Sequence, residues 1–188
     1  MDLHRSLLCT LLGLGFTSSF SIYRRRALFV LVVLDFWVME RQTNNLEETA
    51  QMAAECLAGL EPSQQATVLA LRGDLGAGKT TFTQALAREL GISENVTSPT
   101  FVIMKIYDLE NQPADRSGKS FTRLIHIDAY RFDTPDELDG LNFSDFLKDP
   151  KNLIILEWPE KVAGKLPAET VFIDFKFISD TVREISYA

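Results

Sequence analysis

The run Gly73-Asp74-Leu75-Gly76-Ala77-Gly78-Lys79-Thr80, followed by Thr81, has the residue types and spacing to grip phosphate. Each fixed position of the pattern G-x-x-x-x-G-K-[ST] has a physical reason. Gly73, Gly76 and Gly78 allow positive φ, so the backbone can bring its N–H groups close to phosphate oxygens. Lys79 supplies a point charge to the β- and γ-phosphates. The Thr80 hydroxyl is a hard oxygen ligand suited to Mg²⁺. The stretch from Asp74 to Thr81 therefore forms a candidate binding loop for Mg²⁺–ATP. By average residue usage, a chance match in a chain this long is on the order of 1%.

Two acids could serve the metal or the attacking water. Asp128 ends Leu124-Ile125-His126-Ile127, and Glu157 ends Leu153-Ile154-Ile155-Leu156. An acid at the end of a strand beside the loop commonly holds the metal shell. Either residue could instead be a helix cap or a surface acid. His126 alternates with Asp128 and so shares its side of the strand. As a lone histidine it reads as a packing residue rather than a base. Arg131 could contact phosphate or pair with an acid, and Trp158 reads as a half-buried core residue that could also stack on a ligand.

These residues need a scaffold, and the pattern around them supplies one. Thr67 to Leu71 is an apolar run of strand length, read as a buried parallel strand leading into the loop. A helix follows from Thr80 to Leu90, closed by Gly91. Upstream, Asn44-Asn45 can cap a helix from Leu46 to Leu60, with Pro62 just beyond it. Val102 to Leu109, Thr122 to Ile127, Leu153 to Leu156, Val171 to Phe177 and Val182 to Tyr187 read as further strands. The segment Glu110 to Ser120 reads as a solvent loop. Thr134-Pro135-Asp136-Glu137-Leu138 starts a helix with a cap, a proline at its first position and early acids. The expected fold is a three-layer α/β domain with a mostly parallel central sheet flanked by helices.

The chain has 188 residues, 46% of them apolar and 24% charged, enough for one domain with a sizeable core. A formal net charge of −7 speaks against a broad electrostatic grip on nucleic acid. If RNA is involved, a partner must supply the basic surface. Cys9 and Cys56, far apart, form no metal-ligand cluster and suit a reducing, cytoplasmic compartment.

Residues 1–38 differ in character from the remainder. Two apolar runs, Leu7 to Phe20 and Ala27 to Val38, flank Arg24-Arg25-Arg26. Neither reaches the roughly 20 residues of a membrane-crossing helix, and the second run does not fit a signal peptide. The preferred reading makes Met39 the true start, with 39–188 the domain; a membrane-associating or targeting extension is the rival. No membrane is expected among the partners of the domain itself.

Four blocks in this order give the chain a resemblance to the TsaE (YjeE) family of P-loop ATPases. They are Gly73 to Thr81, Ser98-Pro99-Thr100-Phe101, His126-Ile127-Asp128-Ala129-Tyr130-Arg131, and Glu157-Trp158-Pro159-Glu160. The resemblance covers about residues 43–188 and implies action in making threonylcarbamoyladenosine in tRNA. It implies that Thr80 and Glu157 hold Mg²⁺, and that Asp128 is needed for turnover near the γ-phosphate. It further implies that Thr97 to Thr100 is a nucleotide-sensitive switch and that Thr49 lies near the adenine. The partners it implies are TsaD and TsaB homologues, with tRNA reached only through that complex. The first 38 residues have no counterpart in the family, and the 110–120 loop is longer than usual.

The expected mechanism is hydrolysis without a covalent intermediate. The loop and Lys79 neutralise the phosphates, and Asp128 or Glu157 positions the water. No clear arginine finger is present in cis, so turnover should be slow until a partner completes the site. A small-molecule kinase and a non-catalytic ATP-dependent binding module are the alternatives. A GTPase is less favoured, because no Asn-Lys-x-Asp motif is present.

Overall fold

The sheet is built around residues that are apolar on both faces. In β5 (Asn152–Glu157) all six residues are buried, as are four of the six in β2 (Thr67–Arg72). Strands of that composition need cover on both sides. The computed structural model describes residues 39–60, 63–109 and 121–187. The atypical first 38 residues, Pro62 and the 110–120 loop lie outside the described residues.

β2 and β5 pair in parallel, and β4 (Arg123–Asp128) and β6 (Val171–Phe177) extend the parallel core on either side. Antiparallel strands close both edges. β3 (Met104–Asp108) pairs with β4, β7 (Arg183–Tyr187) with β6, and β1 (Met39–Thr43) with β7. The order is β1-β7-β6-β2-β5-β4-β3.

Side-chain alternation divides the core in two. Leu69, Leu71, Leu153 and Ile155 face α1 (Leu46–Gly59) and α2 (Lys79–Glu89), meeting Met52, Leu57, Phe82 and Leu86. Val68, Ile125, Ile127, Ile154 and Leu156 face the other way, against Leu138, Phe143 and Val162. Those last three come from a 3₁₀ helix at Pro135–Leu141, α3 (Phe143–Leu147) and a 3₁₀ turn at Pro159–Val162. The result is the three-layer α/β sandwich expected.

Local chemistry sets the helix ends. The Asn45 side chain accepts the Glu48 N–H at 2.8 Å, capping α1. After α2, Gly91 takes a positive φ of 86°. The Gly91 N–H then donates to the Arg88 carbonyl and the Ile92 N–H to the Ala87 carbonyl, the Schellman arrangement.

Three sequence expectations need correction. The strand expected from Val102 begins only at Met104, because the Val102 and Ile103 N–H groups turn back to the Pro99 carbonyl and Ile103 adopts φ 67°. The helix starting at Thr134 has its proline and early acids, with the Glu137 carboxylate accepting the Thr134 N–H at 3.0 Å, but it is 3₁₀ and stops at left-handed Asn142 before α3 begins. β1 was not anticipated, since Met39-Glu40-Arg41-Gln42-Thr43 carries no apolar alternation. Its strand conformation comes from the ladder with β7, supported by an Arg41–Glu55 ion pair of 2.7 Å to α1.

Candidate functional site

The loop between β2 and α2 has the backbone its glycines permit. Gly73, Gly76 and Gly78 have φ of 141°, 79° and 108°. Lys79 opens α2 and folds its side chain back over the loop. Its Nζ donates to the Gly73 carbonyl at 2.6 Å and the Asp74 carbonyl at 3.0 Å, and lies 4.0 Å from the Trp158 ring centroid. Burial lowers the pKa of this ammonium, while Glu157, Glu160, Asp128 and Asp74 act in the opposite direction.

Asp128 and Glu157 are paired neighbours at the ends of adjacent parallel strands. This is where open α/β sheets present ligand-binding residues. Both are almost fully buried, at 2% and 3% exposure. The Thr80 hydroxyl donates to Glu157 Oε1 at 3.1 Å, and the His126 ring Nε2 lies 2.9 Å from the same oxygen. Asp128 Oδ2 accepts from the Ser98 hydroxyl at 3.0 Å and from the Thr100 hydroxyl. Its Oδ1 accepts the Tyr130 N–H at 2.9 Å. Both carboxylates therefore have fixed orientations.

These groups open onto a cavity of about 640 Å³, a volume suited to a small ligand. Leu75, Gly76, Gly78, Lys79, Thr80, Thr81, Asp128 and Glu157 line it, and so does Thr49 from α1. Thr49 is largely buried, and its hydroxyl is engaged with Thr43 Oγ1 and the Asn45 carbonyl. Asp74 and Ala77 lie in the loop but off the cavity wall; the Ala77 N–H closes a turn onto the Asp74 carbonyl at 3.1 Å. Thr97 accepts a hydrogen bond from Lys105 Nζ at 2.6 Å, beside the Ser98–Thr100 pair. His126 bonds a site carboxylate rather than serving only to pack. Arg131 stacks over Phe101, and Trp158 packs beside Tyr130 with left-handed backbone at φ 61°.

Sequence reasoning missed the wall contributed by the β6–β7 turn. Arg183 donates to the Gly76 carbonyl at 3.3 Å and to the Val182 carbonyl at 3.0 Å, with its guanidinium over the Phe177 ring. Asp180 and Thr181 line the same cavity. No local pattern marks these residues, because only the folded sheet brings β7 to a loop 107 positions earlier.

The donor set suits a divalent ion held jointly with phosphate. Among the described residues no group of three or more His, Cys, Asp or Glu could hold a metal unaided. Mg²⁺ is commonly bound by one or two protein oxygens plus substrate phosphates. The adjacent Thr80 hydroxyl and Glu157 carboxylate provide such a pair.

Residues 43–185 match the family model described as threonylcarbamoyl adenosine biosynthesis protein TsaE. The Bacillus subtilis protein named tRNA threonylcarbamoyladenosine biosynthesis protein TsaE is 37% identical over 146 residues, covering 78% of this chain and 82% of its own. The Treponema pallidum protein of the same name is 34% identical over 125 residues, covering 66% and 84%. The crystal structure of Bacillus subtilis YdiB superposes with a TM-score of 0.61 at 32% identity, covering 80% of this chain and 84% of that one.

Proposed function

The chain belongs to the TsaE family, and from that premise we propose that it binds and hydrolyses Mg²⁺–ATP within the tRNA threonylcarbamoyladenosine machinery. One observation carries the ATPase part of this reading. Beneath a loop of three positive-φ glycines, Thr80 and Glu157 lie in hydrogen-bond contact, with the orienting carboxylate of Asp128 on the adjacent strand.

Lys79 exchanges the Gly73 and Asp74 carbonyls for β- and γ-phosphate oxygens, with the loop amides and the α2 N-terminus completing the cradle. Thr80 Oγ1 and the Glu157 carboxylate would hold Mg²⁺, which would supply positive charge to the phosphate oxygens. Asp128, fixed by Ser98, Thr100 and Tyr130, accepts a hydrogen bond from the attacking water and directs it at the γ-phosphorus. Thr49, which lines the cavity from α1, is the residue we assign to the adenine side. The same hydroxyl pair that fixes Asp128 gives Thr97 to Thr100 its sensitivity to the nucleotide.

TsaD and TsaB homologues are the proposed partners, and tRNA is reached only through them. Hydrolysis is slow alone and stimulated in the complex, in the cytoplasm where ATP and tRNA are both present. No helix among the described residues is long and apolar enough to cross a membrane.

Lys79→Ala should abolish nucleotide binding, whereas Asp128→Ala should keep binding and lose hydrolysis. Equilibrium titration with a fluorescent nucleotide, paired with phosphate release, reads both. Hydrolysis at the parent rate by the Asp128 variant would refute its assignment.

A further inference from the structure

His126 is fully buried on β4, between Lys105 of β3 and Ile155 of β5 in the ladder register. Its Nε2 lies 2.9 Å from Glu157 Oε1, the oxygen that also accepts from Thr80. An ionised carboxylate can only accept, so Nε2 carries the hydrogen. Nδ1 is buried without a hydrogen-bond partner. Of the two ring nitrogens Nε2 is the one that meets an acceptor, so the geometry assigns it as the donor.

We propose that His126 is a positioning residue for the metal site: its Nε2–H locks the Glu157 carboxylate into the orientation that receives Mg²⁺. The inference rests on the ATPase reading above and deepens it. Glutamate has three rotatable side-chain bonds, and a free carboxylate would lose that freedom on binding the ion. A donor in place beforehand removes much of that loss. Of the two donors to Glu157, Thr80 belongs to the phosphate loop and its helix, whereas His126 belongs to the sheet. The ring therefore holds Glu157 whatever the loop does. Partners that orient metal-ligating groups in this way are typically worth about 10–100-fold in metal affinity.

The test uses the full chain and three variants: His126→Leu, His126→Gln and His126→Asn. Glutamine can place an amide N–H near the position of ring Nε2; asparagine places its amide near Nδ1, short of Glu157. Mn²⁺ affinity in the presence of ATP is measured by electron paramagnetic resonance, and ATP affinity in EDTA by titration. The expected result is metal-free ATP affinity within about twofold of the parent for all three. Mn²⁺ affinity should fall about 10–100-fold in the leucine and asparagine variants and recover most of the way in the glutamine variant.

Should the leucine variant fail to fold, the glutamine–asparagine comparison decides alone. Equal Mn²⁺ affinity in those two, or parental Mn²⁺ affinity in a folded leucine variant, overturns the inference while leaving the ATPase reading intact. A parent chain that binds neither ATP nor Mn²⁺ overturns both.

Discussion

Gly73 is where the glycine-rich loop depends most directly on a single atom. Its φ of 141° lies outside what side chains adopt easily, and an added Cβ would press into the Phe175 carbonyl oxygen on β6. Gly73→Ala should therefore destabilise the fold by about 2 kcal/mol. It should also weaken nucleotide binding, because relief of the clash must move the loop. Denaturant unfolding alongside nucleotide titration would measure both, and an unchanged midpoint would contradict the account. This glycine, Lys79 and Thr80 were legible in the sequence, since the motif is contiguous and each position has its own chemical reason. Asp128 and Glu157 were legible as acids closing apolar strands. The bond from His126 to Glu157 was not, because it joins residues 31 positions apart across two strands. Arg183 was hidden for the same reason.

At the scale of elements, α1 forms one wall of the cavity, and its start depends on a side-chain cap. Asn45 accepts the Glu48 N–H, and the Glu48 carboxylate returns to the Asn44 N–H at 2.8 Å. Removing the cap with Asn45→Ala should cost about 1 kcal/mol of stability. At the other end, Gly59 has open space around the missing Cβ and no positive φ. Gly59→Ala should stabilise by about 0.5 kcal/mol through the unfolded chain. Opposite shifts of the unfolding midpoint in the two variants are the expected signature. Elements with such end signals were readable in advance, as were the all-apolar strands β2 and β5. β1, polar but for Met39, was not, because its strand state is imposed by β7. The Val102–Ile103 segment failed differently: β-branched residues suggested a strand, but hydrogen bonds to the Pro99 carbonyl held them in a turn.

In the whole molecule, the site exists because parallel strands deliver their C-terminal ends to one edge. β2 leads into the glycine-rich loop, β4 brings Asp128 and β5 brings Glu157, and adjacent pairing sets the two acids side by side. Fold class followed from alternating strands and helices with apolar runs too hydrophobic for a one-faced sheet. Strand order and the antiparallel edges did not, because pairing partners lie far apart in the chain. The most direct test of the central claim is Mg²⁺–ATP hydrolysis by this protein, alone and with the TsaD and TsaB homologues of the same organism. The account predicts slow turnover alone, a sharp rise with the partners, and loss of both in Asp128→Ala. Tight ATP binding with no hydrolysis under either condition would contradict it.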